Sequence, residues 1–228
     1  MMPIILSLET STDVCSVALH DNKTLLGEAV IREPQAHASR LAPLIESVMR
    51  DAKISFSDLQ AVAIASGPGS YTGLRIGTST AKGLCLALNI PLIAIGTLEV
   101  LAYQGSRVNH SGAFLCPMID ARRMEVYCLV ANANLEIMRP VSATVVDPTT
   151  FTELLEQSPV LFFGNGSEKC RAVITHSNAF FMENIYPLAS SLGELAMKKF
   201  EAGQTEDLVT FKPFYLKEFV AKRAQPHS

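Results

Sequence analysis

An α/β protein built as two similar lobes is what the sequence predicts, on three observations. Short, β-branched apolar runs alternate along the whole chain with segments in which apolar residues recur at helical spacing. The pattern of apolar strand, acidic residue, polar turn and second strand occurs twice, once at Ile5 to Val14 and again at Leu115 to Val126. The chain has 228 residues, 48% of them hydrophobic and 18% charged. At that length about 70% of the unfolded surface can be buried, so a core forms without disulfide or metal staples. The apolar content also exceeds what a lone solvated domain needs, which fits either a well-filled core or a surface buried against a partner.

Pro3 to Leu8 is a β-rich run closed by Glu9-Thr10-Ser11-Thr12-Asp13, and Val14 to Leu19 and Thr24 to Val30 follow as strands. In Ser39 to Ala52 the residues Leu41, Leu44, Ile45, Val48 and Met49 lie at helical spacing, with Pro43 expected near the first turn. Ala61 to Ala65 has the uninterrupted apolar character of a strand covered on both faces, and it leads straight into Gly67-Pro68-Gly69-Ser70-Tyr71-Thr72-Gly73. A helix then spans Gly73 to Leu88, followed by a strand at Pro91 to Ile95 and a helix at Thr97 to Tyr103.

The second half begins with strands at Ala113 to Ile119 and Met124 to Ala131 around the turn Asp120-Ala121-Arg122-Arg123. A helix at Pro148 to Gln157, a strand at Val160 to Phe163, the turn Gly164-Asn165-Gly166 and a helix at Leu188 to Phe200 complete the reading. The lobes are expected at residues 1–108 and 109–228, with a cleft between them.

A net charge of −3 lacks the basic balance of a protein that grips phosphate backbones alone, so contact with RNA is expected to be shared or local. The five cysteines are odd in number, sit mostly in apolar runs and contain no C-x-x-C pair, which fits reduced packing residues in the cytoplasm. No stretch has the length of a membrane span or the form of a secretion signal.

Two segments carry possible chemistry. The turn Thr10-Ser11 after the first strand offers amides and hydroxyls that could cradle phosphate, and an ordinary Ser/Thr turn bonded to its own backbone fits it at least as well. Gly67, Gly69 and Ser70 lie where a helix begins, a place that attracts anions. The spacing matches neither a Walker A loop nor a dinucleotide fingerprint. Gly73, Gly77 and Ala81, four residues apart, favour close packing of this helix on another, inside the chain or in a partner. Arg75, Arg122 and Arg123 read first as partners in ion pairs, the last two with Asp120. The five histidines are scattered and form no metal or catalytic pattern, and His37 is expected to be a capping or surface residue.

The segments Ile5 to Thr12, His37 with Leu41-Ala42-Pro43, Gly67 to Gly77 and Asp120 to Tyr127 together resemble the bacterial TsaB (YeaZ) family over essentially the whole chain. The resemblance implies an ASKHA (actin/sugar kinase/Hsp70-like) fold of two duplicated lobes with mixed sheets. It implies a scaffold role in making N6-threonylcarbamoyladenosine at position 37 of tRNAs that read codons beginning with adenine, with the catalytic paralogue TsaD and the ATPase TsaE as partners. On this reading the chain is not an enzyme, has no catalytic or metal residues and binds no cofactor alone, the ATP and metal belonging to TsaE and TsaD. Thr97 and Leu101 stand where the paralogue's metal motif would carry histidines, and without imidazoles Glu99 alone is a poor transition-metal site. Pairing, with TsaD or with a second copy, is expected through the helices at 39–52 and 73–88, with His37, Arg40, Leu44, Thr72, Arg75, Ile76, Gly77 and Ser79 as contact candidates; tRNA would be met through the complex.

Two other classes stay in view. A small-molecule kinase of this fold would use Glu9 and Asp120 at metal and phosphate, although Glu9 replaces the usual aspartate and the second lobe looks short for an adenosine pocket. A peptidase would need a metal or nucleophile constellation that the sequence does not contain.

Overall fold

In a computed structural model of the chain, residues 3–33 and 35–217 are described. Each half folds around a five-stranded mixed sheet. In the first, β1 (Ile4–Glu9), β2 (Val14–Asp21) and β3 (Thr24–Arg32) form an antiparallel meander, and β4 (Ala61–Gly67) and β5 (Leu92–Gly96) add in parallel beyond β1, giving the order β3-β2-β1-β4-β5. The second sheet repeats the plan with β6 (Phe114–Asp120), β7 (Glu125–Ala131), β8 (Ile137–Val145), β9 (Val160–Phe163) and β10 (Ala179–Met182) in the order β8-β7-β6-β9-β10. The duplication expected from the two acidic strand ends is therefore a duplication of whole sheets.

Alternation along β1 sets the layers, because successive side chains leave a strand on opposite faces. Leu6 and Leu8 join Leu41, Ile45, Val48, Ala81 and Cys85 under α1 (His37–Ala52) and α2 (Tyr71–Leu88). Ile5 turns the other way and packs with Ile93, Val100, Leu192, Ala196 and Met197, residues contributed by β5, α3 (Thr97–Ser106) and α5 (Ala189–Glu201). The second half of the sequence thus supplies a helix to the first sheet. A short helix, α4 (Thr152–Gln157), covers the second sheet through Leu154 and Leu155.

The lobes meet at the foot of α3, where Leu98, Leu101 and Ala102 pack with Leu115, Ile119 and Phe163. Gly105 lies so close to the Phe163 ring that a Cβ there would fall 2.4 Å from it. This junction is apolar and tight.

Several expectations require correction. Strands β8 and β10 were not anticipated. Both are sheet edges, and Ile137, Met138, Val145 and Phe180 face solvent, so no buried alternation marks them. Pro140 falls within β8 beside a register shift, a position open to proline only because the strand is an edge. The helix expected from Pro148 begins at Thr152. Pro43 falls in the second turn of α1, since that helix starts at His37. All five cysteines are free and buried. No helix among the described residues is long and apolar enough to cross a membrane.

Candidate functional site: the interlobe cleft and the outer face of α1 and α2

The turn leaving β1 and the start of α2 are built into one another. Ser70 N donates to Ser11 O at 2.6 Å, Thr10 Oγ1 donates to Gly73 O at 2.9 Å, and Ser70 Oγ caps α2 by accepting from Gly73 N at 3.3 Å. A Cβ at Gly69 would lie 2.2 Å from Ser11 O, one at Gly73 2.1 Å from Thr10 O, and one at Gly77 2.2 Å from Thr10 Oγ1. The glycines are required because the chain's own backbone approaches them. The close-packing reading holds at Gly73 and Gly77, with the β1 turn and β4 as what approaches, while Ala81 joins the core that α1 also covers. Gly77 is buried, and Ile64 also stands 2.9 Å from its would-be Cβ, so it offers nothing to a partner. Its place among the contact candidates is corrected on that ground.

Glu9, where a kinase reading needs an accessible carboxylate, is completely buried. Its Oε1 accepts from Ser11 N at 2.6 Å, while Oε2 has no hydrogen-bond partner. Burial raises the carboxyl from 4.5 to about 7, against the lowering effect of its contacts with Ser11 and Thr10. Glu9 is absent from the cleft lining.

The cleft has a volume of about 510 Å³. On the first-lobe side Ser11, Thr12, Asp13 and residues 68–72 line it, and on the second-lobe side Ile119, Asp120, Ala121, Arg122, Tyr127 and Asn165. Asp120 pairs with Lys169 and accepts from Arg122 N at 3.0 Å, so its ion-pair partner is the lysine and not the arginine side chains first expected. Arg122 and Arg123 both have positive φ, 70° and 49°, in the turn between β6 and β7. The remaining wall is the segment Phe214 to Lys217, which sequence reasoning missed because it has neither periodicity nor a motif.

Thr97 and Leu101 are both fully buried, Leu101 within the apolar junction of the lobes. No group of three or more His, Cys, Asp or Glu able to hold a metal ion occurs among the described residues.

On the outside of the first lobe, Arg40, Thr72, Arg75 and Ser79 are exposed and Leu44 and Ile76 half-buried. Arg40 pairs with Glu33 at 3.6 Å, and Arg75 stacks over Tyr71 with its guanidinium 5.2 Å from the ring centre. His37 is corrected from a surface position. It is 5% exposed, with Nε2 3.4 Å from Val14 O beneath the first turn of α1.

Residues 31–225 match a family described as TsaD, tRNA N6-adenosine threonylcarbamoyltransferase. The chain is 33% identical to the tRNA threonylcarbamoyladenosine biosynthesis protein TsaB of Bacillus subtilis, over 75% of this chain and 74% of that protein. It is 28% identical to the TsaB of Escherichia coli over 97% and 98% of the two chains. A crystal structure from Pseudomonas aeruginosa, described as similar to peptidase YEAZ, superposes with a TM-score of 0.84 at 26% identity over 95% of this chain and 100% of that one. A dehydratase activator from Clostridium difficile shares the fold alone, with a TM-score of 0.50 at 10% identity. Two mixed sheets on one repeated plan, an ASKHA architecture and relatives matched nearly end to end place this chain in the TsaB (YeaZ) family.

Proposed function

We propose that the chain is the non-catalytic partner subunit of the machinery that forms N6-threonylcarbamoyladenosine in tRNA, binding and activating TsaD together with TsaE. The general role in this pathway follows from the family, whose curated members carry it in their names. The observation that carries the finer reading is the state of segment 97–101. Where the catalytic paralogue is expected to hold its metal, this chain packs Thr97 and Leu101 into its interior. The phosphate-cradle reading of Thr10, Ser11, Gly67, Gly69 and Ser70 is weakened by the same logic, since the close approaches at Gly69 and Gly73 are taken by the β1 turn. Glu9, sealed in the first lobe, supports no kinase step.

On this reading the chain needs no cofactor of its own, and ATP and metal act on TsaE and TsaD. The lobe within 1–108 docks, while the second lobe is built from the chain after residue 108, which then returns α5 to the first sheet. Arg40, Leu44, Thr72, Arg75, Ile76 and Ser79 on the outer face of α1 and α2 meet TsaD, or a second copy of the chain when TsaD is absent, and tRNA is engaged through the assembled complex. Five buried free thiols fit a cytoplasmic site of action.

Reconstitution tests the proposal. Threonylcarbamoyl transfer to tRNA by TsaD and TsaE is expected to require this chain, and light scattering to show a complex with TsaD. Arg75→Glu is expected to weaken that complex at least tenfold, since a charge reversal in an interface removes about 1.4 kcal/mol or more. Transfer at full rate without the chain would overturn the reading.

A further inference from the structure

We infer that the C-terminal segment 206–217 is a strap that latches the two lobes across the mouth of the cleft and links the cleft to the first turn of α2. The strap is fixed firmly to the first lobe. Glu206 N donates to Leu92 O at 2.8 Å, Leu208 and Phe211 pack against the core under α2, and Lys82 Nζ donates to Phe211 O at 3.1 Å. Phe214 N then donates to Ser66 O at 2.7 Å. Gly67, with φ +108°, has no room for a side chain there, because a Cβ would stand 2.7 Å from Phe214 O. At the cleft the Tyr215 ring lies 4.9 Å from that of Tyr71, the first residue of α2, and Lys217 reaches over to pair with Glu125 at the start of β7.

The two ends of this segment differ in strength. Up to Phe211 its first-lobe anchors combine main-chain hydrogen bonds with apolar packing against the core. Beyond Phe211 the first lobe holds it through the bond from Phe214 N to Ser66 O and the Tyr215–Tyr71 contact, which can open locally without the rest. Among the described residues, its polar tie to the second lobe is the Lys217–Glu125 ion pair, whose side chains are 46% and 18% exposed. Partly solvated pairs of this kind are weak enough to break and re-form as lobes shift. Where Ile119 belongs both to the cleft lining and to the apolar junction, the tight contacts around Phe163 and Gly105 act as the fixed end. A tight base and a weak tie at the rim are the arrangement of a hinge with a latch.

The link to α2 runs through Tyr71. One side of its ring faces Tyr215 of the strap, and Arg75, a turn further along the helix, stacks on it with Nη1 3.4 Å from the hydroxyl. A partner that grips Thr72 and Arg75 therefore handles the group on which the strap rests. This second step rests on the docking reading proposed above, whereas the latch itself does not.

Hydrogen exchange on the full chain separates the two. Lys217→Glu puts two carboxylates at the rim, and exchange across 211–217 is expected to rise several-fold while that of β1 and β4 stays unchanged. The swapped pair, Lys217→Glu with Glu125→Lys, is expected to return it toward the original rate. Unchanged exchange in the single variant, or no recovery in the swap, would overturn the latch. Adding TsaD to the unmodified chain is expected to slow exchange across 211–217. Binding of TsaD with no change there would overturn the link to α2, and failure of TsaD to bind at all would count against the docking reading while leaving the latch result standing.

Discussion

Replacing Glu9 by glutamine is expected to stabilise the protein by up to about 3 kcal/mol at pH 8 and to change little at pH 5. The carboxyl is fully buried, with one oxygen accepting from Ser11 N and the other without a partner, and burial lifts it from 4.5 to about 7. In the window between those values the folded chain holds a proton there that the unfolded chain has released. A folded value raised above the unfolded one contributes stability that is complete below pH 4.5 and is lost as pH rises through 7. At about 1.4 kcal/mol per pH unit the loss amounts to about 3 kcal/mol. Glutamine keeps an acceptor for Ser11 N and cannot ionise. Urea denaturation of both proteins at pH 5 and pH 8 provides the check, and the difference between them cancels other titrations such as that of His20, whose burial lowers it from 6.5. An identical difference at the two pH values would mean that Glu9 is solvated.

What the sequence revealed of this fold depended on burial for most strands, the exception being the edge strand β3, whose Leu25, Leu26 and Val30 are exposed and which was found from its β-rich run directly after β2. Strands β1, β4, β5, β6 and β9 are central or covered, and their apolar runs place them within a residue or two. The edge strands β8 and β10 are different, because side chains such as Ile137 and Val145 point to solvent and carry no pattern that separates strand from loop. The duplication was legible all the same, since Glu9 and Asp120 end the first strand of each sheet and each is followed by a polar turn.

The site was legible only in part. Small residues at 73, 77 and 81 announced a close approach, but spacing along a helix does not say what approaches, and at 73 and 77 it is the turn at Thr10. The same limit put Gly77 and His37 on the outside when both face inward. Glu9 was placed at a strand end, whereas its burial depends on the cover that the rest of the first lobe lays over it. The partner of Asp120 is Lys169, 49 residues away, a distance at which charge pairing leaves no trace in the sequence. The strap is similar: Lys217 meets Glu125 only once two sheets and five helices have been assembled.

Two alanine substitutions in α2 are expected to act in opposite directions, and the contrast tests how the glycine segment works. At Gly73 the new Cβ would stand 2.1 Å from Thr10 O and 3.3 Å from Thr10 C, both backbone atoms of a buried turn that cannot rotate away. Forced overpacking of this kind costs about 3 kcal/mol at the upper end of its usual range. In a chain of this size that lowers the melting temperature by roughly 6–12 °C. At Gly83, in the same helix, nothing lies within 4 Å of the Cβ position and the residue is exposed. There alanine removes only the entropic disadvantage of glycine in a helix, a gain of about 0.5–1 kcal/mol and a rise of up to about 4 °C. Thermal unfolding of both variants against the unmodified chain gives the answer. If Gly73→Ala melts with the parent, the β1 turn is not pressed against α2, and the segment from Gly67 to Gly77 becomes an open cradle whose amides are free for a phosphate. A large loss at Gly73 with a gain at Gly83 fixes the turn in that space, and the glycines then serve the packing of the lobe that presents α1 and α2 to a partner.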